Sequence, residues 1–277
     1  MKIGVVGLGL IGGSFCKAIK EKPSHECFGM DINSEGIKKA ISVSAIDKEL
    51  EVKDLKNCDI LIVSLYPKQT VSFLKENADN FKKGSIVIDA CGVKSFITEQ
   101  AENLLFEKGI TFIGAHPMAG REFSGFDYSL ADLFVGASFI MTPGDRVKES
   151  KIEIVKIFAK EIGFSRVVIT DVKTHDETIA FTSQIAHIIS NAYVKSPTLQ
   201  NESGFSAGSF QDLSRVAKLN EDMWTDLFLL NQKPLLYELD TVIDNLSKYR
   251  KALSEKDAET LKKLLREGRI LKENLPY

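Results

Sequence analysis

Residues 2–13 read K-I-G-V-V-G-L-G-L-I-G-G, and this stretch decides the fold. The run Lys2–Val6 is a short apolar strand, and it ends in Gly7, Gly9 and Gly12 at G-x-G-x-x-G spacing. An amphipathic helix is expected from there to about Lys20. Each glycine has a mechanical reason. Gly7 permits a tight turn, Gly9 lets the backbone approach a pyrophosphate, and Gly12 lets helix pack on strand. The phosphates would then meet a helix N-terminus, where free N–H groups and the helix dipole favour an anion. The second strand, Glu26–Met30, ends in Asp31, nineteen residues after Gly12. An acid there accepts hydrogen bonds from ribose hydroxyls and repels a 2′-phosphate. No arginine follows in 32–36, so the expected cofactor is NAD rather than NADP, with Lys38 and Lys39 the nearest cations.

The pattern repeats outward from this loop. Apolar strands are expected at 59–64, 85–89, 110–115, 139–142 and 164–169, with a helix starting at Pro67 and others ending near Lys108 and Ile162. Alternating strands and helices imply an α/β fold with a doubly wound parallel sheet, a Rossmann-type domain spanning 1–170. Ser64 and the turn after Asp89 lie at strand carboxyl ends and are expected to line the cofactor cleft. After about Thr170 the strand pattern stops, and 171–277 reads as an all-α domain. Residues 172–193 look like one long helix carrying His175, Asp176 and His187. Leu235, Leu236, Leu239, Val242, Ile243 and Leu246 recur at helical spacing, as one buried face would.

Composition excludes several classes. The chain has 277 residues, 44% hydrophobic, with a net charge of -2, so no global field advertises nucleic acid or an anionic membrane. It has no apolar run of the roughly 18 to 20 residues a membrane span needs. Its first residues read directly as a strand, so no signal peptide is expected. Cys16, Cys27, Cys58 and Cys91 are scattered without metal-ligand spacing and read as reduced thiols of a cytoplasmic protein. No metal is expected.

The chemistry centres on 113–125, I-G-A-H-P-M-A-G-R-E-F-S-G. The fifth strand ends in glycine, alanine and His116, and Pro117 forbids its continuation in a sheet interior. A strand-end histidine at the ligand-binding edge suits proton exchange near neutral pH. Among the other histidines, His25 precedes a strand and is expected at the surface, and His175 with Asp176 falls near a helix start, where capping explains the pair as well as function does. His187, Glu122 and Arg215 taken singly have ordinary structural explanations: a partly buried ring, a loop acid and a surface helix arginine bound to a local acid such as Asp212. Against the last, Leu213 and Val216 are expected to bury one side of that helix, which would hold the guanidinium at the cleft.

Together the motifs form a recognisable set. G-L-G-L-I-G-G, Asp31, D-A-C-G-V-K, H-P-M-A-G-x-E, S-Q-I-A-H and G-S-F-Q-D-L-S-R-V-A, with Trp224 nine residues past Arg215, resemble the prephenate and arogenate dehydrogenases of tyrosine biosynthesis over essentially the whole chain. The resemblance implies NAD-dependent oxidative decarboxylation of prephenate to 4-hydroxyphenylpyruvate. His116 would accept the proton of the ring hydroxyl, and Arg215 would hold a substrate carboxylate. His187, Glu122, Gly208 and Trp224 would line the substrate site, with Trp224 reaching a neighbouring subunit and a homodimer forming through the helical domain. One departure stands out: where relatives often carry serine in the D-x-x-S-V-K string, this chain has Gly92. No mutase or regulatory domain of the kind that some relatives carry is expected in a chain of this length. Arogenate, with an amino group in place of the side-chain keto group, remains open as substrate. So do a β-hydroxyacid dehydrogenase or imine reductase, whose acid/base lysine is not matched here, and a non-catalytic NAD-binding sensor.

Overall fold

The structure, a computed structural model, describes residues 1–121 and 123–275. In chain order it runs β1 (Lys2–Val6), α1 (Leu10–Lys20), β2 (Glu26–Met30), α2 (Ser34–Ser42), β3 (Lys48–Glu49), β4 (Ile60–Val63) and α3 (Pro67–Asn77). It continues with β5 (Ile86–Asp89), α4 (Ser95–Glu107), β6 (Thr111–Pro117), β7 (Ser138–Pro143), α5 (Glu149–Glu161) and β8 (Arg166–Ile169). The strands form one sheet of order β3-β2-β1-β4-β5-β6-β7-β8. The chain leaves β1 toward β2 on one side and returns to β4 on the other. The switch therefore falls at the carboxyl end of β1, where the glycine loop sits.

Strand side chains alternate between two cores, one on each face of the sheet. Ile3, Val5, Ile60, Ile62, Ile86, Ile88 and Ile113 pack with residues of α1, α2 and α5. Val6, Leu61, Val63, Val87 and Phe112 pack with residues of α3 and α4. Burial on both faces explains why these strands read as unbroken apolar runs.

Three expectations about the sheet need correction. The sheet is not wholly parallel, because β7 runs antiparallel to β6 and carries β8 with it. Between β6 and β7 the described residues form only a 3₁₀ turn, Phe126–Tyr128, and no crossover helix, which an antiparallel pair allows. The strand carrying His116 does not stop there. It continues through Pro117, with His116 opposite Ile140 and Pro117 opposite Phe139. Pairing with β5 ends at Ile113, and the Met118 N–H turns toward β7 to reach Ser138 O at 2.9 Å. The proline nitrogen thus faces the side that β5 no longer accompanies, where no ladder bond is lost. The two-residue β3 was not foreseen, since its sequence is charged and too short to show a pattern.

Beyond β8 the chain is helical: α6 (Val172–Ile179), a π-helical segment (Ala180–Gln184), α7 (Ile185–Tyr193), α8 (Gly208–Ser214), a 3₁₀ turn (Arg215–Ala217), α9 (Glu221–Leu230), α10 (Gln232–Ser254) and α11 (Ala258–Glu273). The single helix expected over 172–193 is therefore interrupted by a π turn, a feature frequent at functional sites. The chain divides into two compact units, 1–231 and 232–277. The second is the α10–α11 hairpin. The expected buried face on α10 is largely open: Leu235 is buried, but Leu236, Ile243 and Leu246 are 48%, 49% and 59% exposed. No helix among the described residues is long and apolar enough to cross a membrane.

Candidate active site

The nucleotide loop has the geometry its glycines require. Gly7 has φ +87°, and a Cβ there would lie 2.4 Å from the Ser64 carbonyl oxygen. A Cβ on Gly12 would lie 1.8 Å from the Gly7 carbonyl oxygen, so α1 closes directly onto the loop. A Cβ on Gly9 would meet nothing within 4 Å. Gly9 is the N-cap of α1 and offers no side-chain acceptor to the helix's first N–H groups. An open backbone at an uncapped helix N-terminus fits a pyrophosphate.

Asp31 lies at the carboxyl end of β2 and binds the loop itself. Its Oδ2 accepts the Leu8 N–H at 2.6 Å and its Oδ1 accepts the Asn33 N–H at 2.8 Å. Each carboxylate oxygen keeps a further lone pair for a ribose hydroxyl. Lys38 pairs with Glu35 at 2.9 Å and Lys39 with Asp127 at 2.7 Å, so both nearby cations already face an acid.

His116 is the second-to-last residue of β6, half-buried, and meets a partner from the helical region. Its Nδ1 lies 3.0 Å from His175 Nε2. His175 Nδ1 lies 2.7 Å from Asp176 Oδ1. Both partners are buried, at 1% and 3% exposure, and neither caps α6, because Asp171 accepts the Thr174 N–H and does that work. Asp176 instead faces the start of α4, accepting the Lys94 and Ser95 N–H groups at 2.9 Å each. Burial pushes the Asp176 carboxyl up, but the bonds from His175, Ser95 and Lys94 outweigh it and hold the group below the usual carboxylate range. The buried Lys94 ammonium pairs with Asp89 at the end of β5 and donates to Ala115 O at 2.6 Å, tying down the residue before His116. Burial above all, then the neighbouring His175 ring, which disfavours a second positive charge beside it, and the Lys94 ammonium lower the His116 pKa well below its ordinary value, with Asp176 opposing. The ring is thus an unprotonated acceptor at neutral pH.

A second cluster lies on α7 and α9. The half-buried His187 ring stacks on Trp224, centroids 3.8 Å apart and planes inclined by 29°. His187 Nδ1 donates to the Ser183 carbonyl at 2.9 Å, which leaves Nε2 as acceptor in the neutral ring. Burial lowers its pKa, Ser183 raises it, and the Arg215 charge lowers it again. Arg215 opens the 3₁₀ turn that packs on α7. Helix α9 links the two clusters. Trp224 reaches His187, and three residues on, Leu227 Cδ2 lies 3.6 Å from where a Cβ on Gly92 would stand. That same position is 3.9 Å from His116 Nε2. Asn231 secures the arrangement by donating to Asp176 O at 2.9 Å and Gln184 Oε1 at 2.7 Å.

Several expectations are corrected here. His25 is buried rather than at the surface, with Nε2 2.9 Å from Glu161 Oε2. Leu213 is 42% exposed and does not bury its side of the Arg215 helix, and Val216 is half-buried. Gly208 begins α8 with open space around it, and Ser64 lies beside the glycine loop. Glu122 lies outside the described residues. Sequence reasoning left the His175–Asp176 pair open between helix capping and function, and gave Lys94 no role of its own. One clue was available: Asp171, four residues before His175, already fits the helix cap, so Asp176 was not needed for it.

Residues 15–169 match the prephenate dehydrogenase nucleotide-binding domain, and residues 171–267 match the prephenate dehydrogenase dimerization domain. The chain belongs to the prephenate dehydrogenase family. This is a family of NAD-dependent oxidoreductases, and its motifs are carried here on a mostly parallel Rossmann-type sheet followed by helices. A prephenate dehydrogenase of Lactococcus lactis is 30% identical over 98% of this chain and 77% of its own length. The crystal structure of an A. aeolicus prephenate dehydrogenase, in complex with hydroxyphenyl propionate and NAD+, superposes with a TM-score of 0.88 at 26% identity, covering 100% of this chain and 98% of that one. A Synechocystis arogenate dehydrogenase superposes with a TM-score of 0.84 at 25% identity, covering 99% of both chains.

Proposed function

We propose that this member of the prephenate dehydrogenase family oxidatively decarboxylates prephenate to 4-hydroxyphenylpyruvate, using NAD. The observation that carries the reading is His116: an unprotonated imidazole at the carboxyl end of β6, on the same edge of the sheet as the glycine loop. NAD bound on Gly7, Gly9, Gly12, Asp31 and Ser64 supplies the hydride acceptor. His116 takes the proton of the ring hydroxyl as the C–H bond at that carbon breaks. The C–C bond to the ring carboxylate then breaks, its electron pair completes the aromatic ring, and carbon dioxide leaves. The oxygen recovers its proton from His116, so no net proton is released. Arg215 holds a substrate carboxylate through its planar fork. His187, Trp224 and Gly208 would line the substrate side.

In this reading 1–170 is the cofactor domain and 171–277 the substrate and dimerisation domain. The exposed Leu236, Ile243, Leu246 and Leu253 on α10, spaced by seven and three, supply an apolar stripe for a second copy. The match to a dimerization domain supports a homodimer, and light scattering tests it. The four free, buried cysteines suit a reducing cytoplasm. The deciding experiment follows NADH formation with prephenate and with arogenate. Turnover of prephenate at a kcat/KM above that for arogenate is expected. The reverse order assigns arogenate as substrate, and turnover of neither contradicts the reading.

A further inference from the structure

The His175–Asp176 pair sits behind His116 and does not cap its helix, so its placement calls for another explanation. Hydrogen-bond logic supplies one. The Asp176 carboxylate already accepts the Lys94 and Ser95 N–H groups and can only accept, so His175 Nδ1 carries a proton and donates it across 2.7 Å. In the neutral ring, His175 Nε2 is then bare. A bare Nε2 can only accept, so His116 Nδ1 carries the proton between the two rings, at 3.0 Å. It follows that the lone pair of His116 stands on Nε2, the atom facing the Gly92 turn at the carboxyl end of β5. Gly92 offers no hydroxyl at that turn, so among the described residues His175 is the polar side chain that fixes this ring.

We propose that His175 and Asp176 are positioning residues that hold His116 in the Nδ1–H tautomer, with its acceptor nitrogen toward the substrate, and that take over its proton during turnover. The transfer balances. When His116 Nε2 gains the hydroxyl proton, its Nδ1 proton passes to His175 Nε2. The positive charge then rests on His175, directly against the Asp176 carboxylate, in place of a lone imidazolium. The return transfer restores both rings as the product oxygen is reprotonated. No oxidant or further reactant enters this step. The role as proton acceptor rests on the function proposed above; the tautomer does not.

Two measurements test the proposal separately. Histidine-labelled protein gives the ring tautomers by ¹⁵N–¹H NMR at neutral pH, with no substrate and no substitution in the base sample. His116 is expected as Nδ1–H with a bare Nε2, and its resonances are assigned by their loss in His116→Asn. A His116 ring protonated on Nε2 overturns the proposal. The second measurement is kinetic. In a Ser-His-Asp triad a mis-set tautomer costs about 10⁴ in kcat, so Asp176→Asn is expected to lower kcat by about 10²-fold or more with KM for NAD within twofold. The groups around His116 are His175 and Asp176 on α6, Lys94 ahead of α4, and Asp89 paired with Lys94. Of these, Asp176 raises the His116 pKa, so its neutralisation moves the acid limb of kcat/KM to lower pH, which a merely structural loss would not do. His175→Gln keeps an acceptor near Nδ1 and is expected to be several-fold faster than His175→Leu. Equal losses in both, or a His175→Leu kcat within twofold of the unsubstituted enzyme, overturn the proposal. If prephenate is not turned over while the Nδ1–H tautomer is found, the substrate reading fails and the tautomer assignment stands.

Discussion

The Asp31 carboxylate accepts the Leu8 amide at 2.6 Å, so the acid at the end of β2 and the glycine loop after β1 are one unit. A 2′-phosphate on the adenosine ribose would have to enter beside this charge. Lys38 and Lys39 are each paired with an acid and do not replace the arginine that NADP sites use. NAD is therefore expected to exceed NADP in kcat/KM by at least about tenfold, which corresponds to 1.4 kcal/mol of discrimination. An equal or higher value with NADP would show that Asp31 does not face the ribose.

Gly92 does not need to be glycine for backbone reasons. Its φ is not positive, and an added Cβ meets only ordinary contacts, 3.6 Å from Leu227 Cδ2 and 3.9 Å from His116 Nε2. Gly92→Ser should leave Tm within about 2 °C, the scale of a neutral substitution. A hydroxyl at that distance can bond His116, so kcat should hold or rise slightly. A large loss of Tm would mean that this turn has no room for the serine.

Lys94 and Asp89 form an ion pair buried from solvent at the ends of β5 and β6. Lys94→Met would leave the carboxylate buried beside only backbone donors, the Cys91 and Ala115 N–H groups. Removing one partner of such a pair costs about 3–5 kcal/mol. For a domain of this size that is a fall in Tm of roughly 6–20 °C, visible by calorimetry. A change under about 2 °C would show that the ion pair contributes little to the fold.

Arg215 stands on the turn after α8, and its charge is felt at His187. A charge-assisted hydrogen bond is worth about 1.5–3 kcal/mol, or roughly 10- to 150-fold in affinity. Arg215→Lys keeps the charge and loses the fork, so KM for prephenate should rise within that range, and Arg215→Ala should raise it further. KM for NAD should stay within twofold in both. A prephenate KM that does not move in either variant places the carboxylate site elsewhere.

The sequence displayed the first half of this molecule better than the second. Strands buried on both faces, such as 60–63 and 86–89, are apolar without interruption, and the glycine spacing needs only local rules. The direction of β7 was not legible, because apolar content does not encode strand polarity. His116 was legible as a strand-end histidine. Its partner was not, because His175 is 59 positions away and only the packing of α6 against α4 brings it near. Asp176 illustrates the same limit: one carboxylate can serve a helix start locally or another helix's start through space, and only the fold chooses. On α10 the apolar spacing was read correctly and its meaning was not, since the same pattern marks a core face or a face kept for another chain.

The most direct test measures NADH formation from prephenate against pH for the unsubstituted enzyme and for His116→Asn. The His116 pKa is depressed, so the base form is present above that value and is lost as pH falls through it. The acid limb of the unsubstituted enzyme should therefore lie below the ordinary histidine value of about 6.5. General-base catalysis contributes about 10²- to 10⁴-fold, so His116→Asn should lose that much kcat, with KM for NAD little changed and the acid limb gone. A His116→Asn enzyme that keeps near-normal kcat and the same acid limb would contradict His116 as the base.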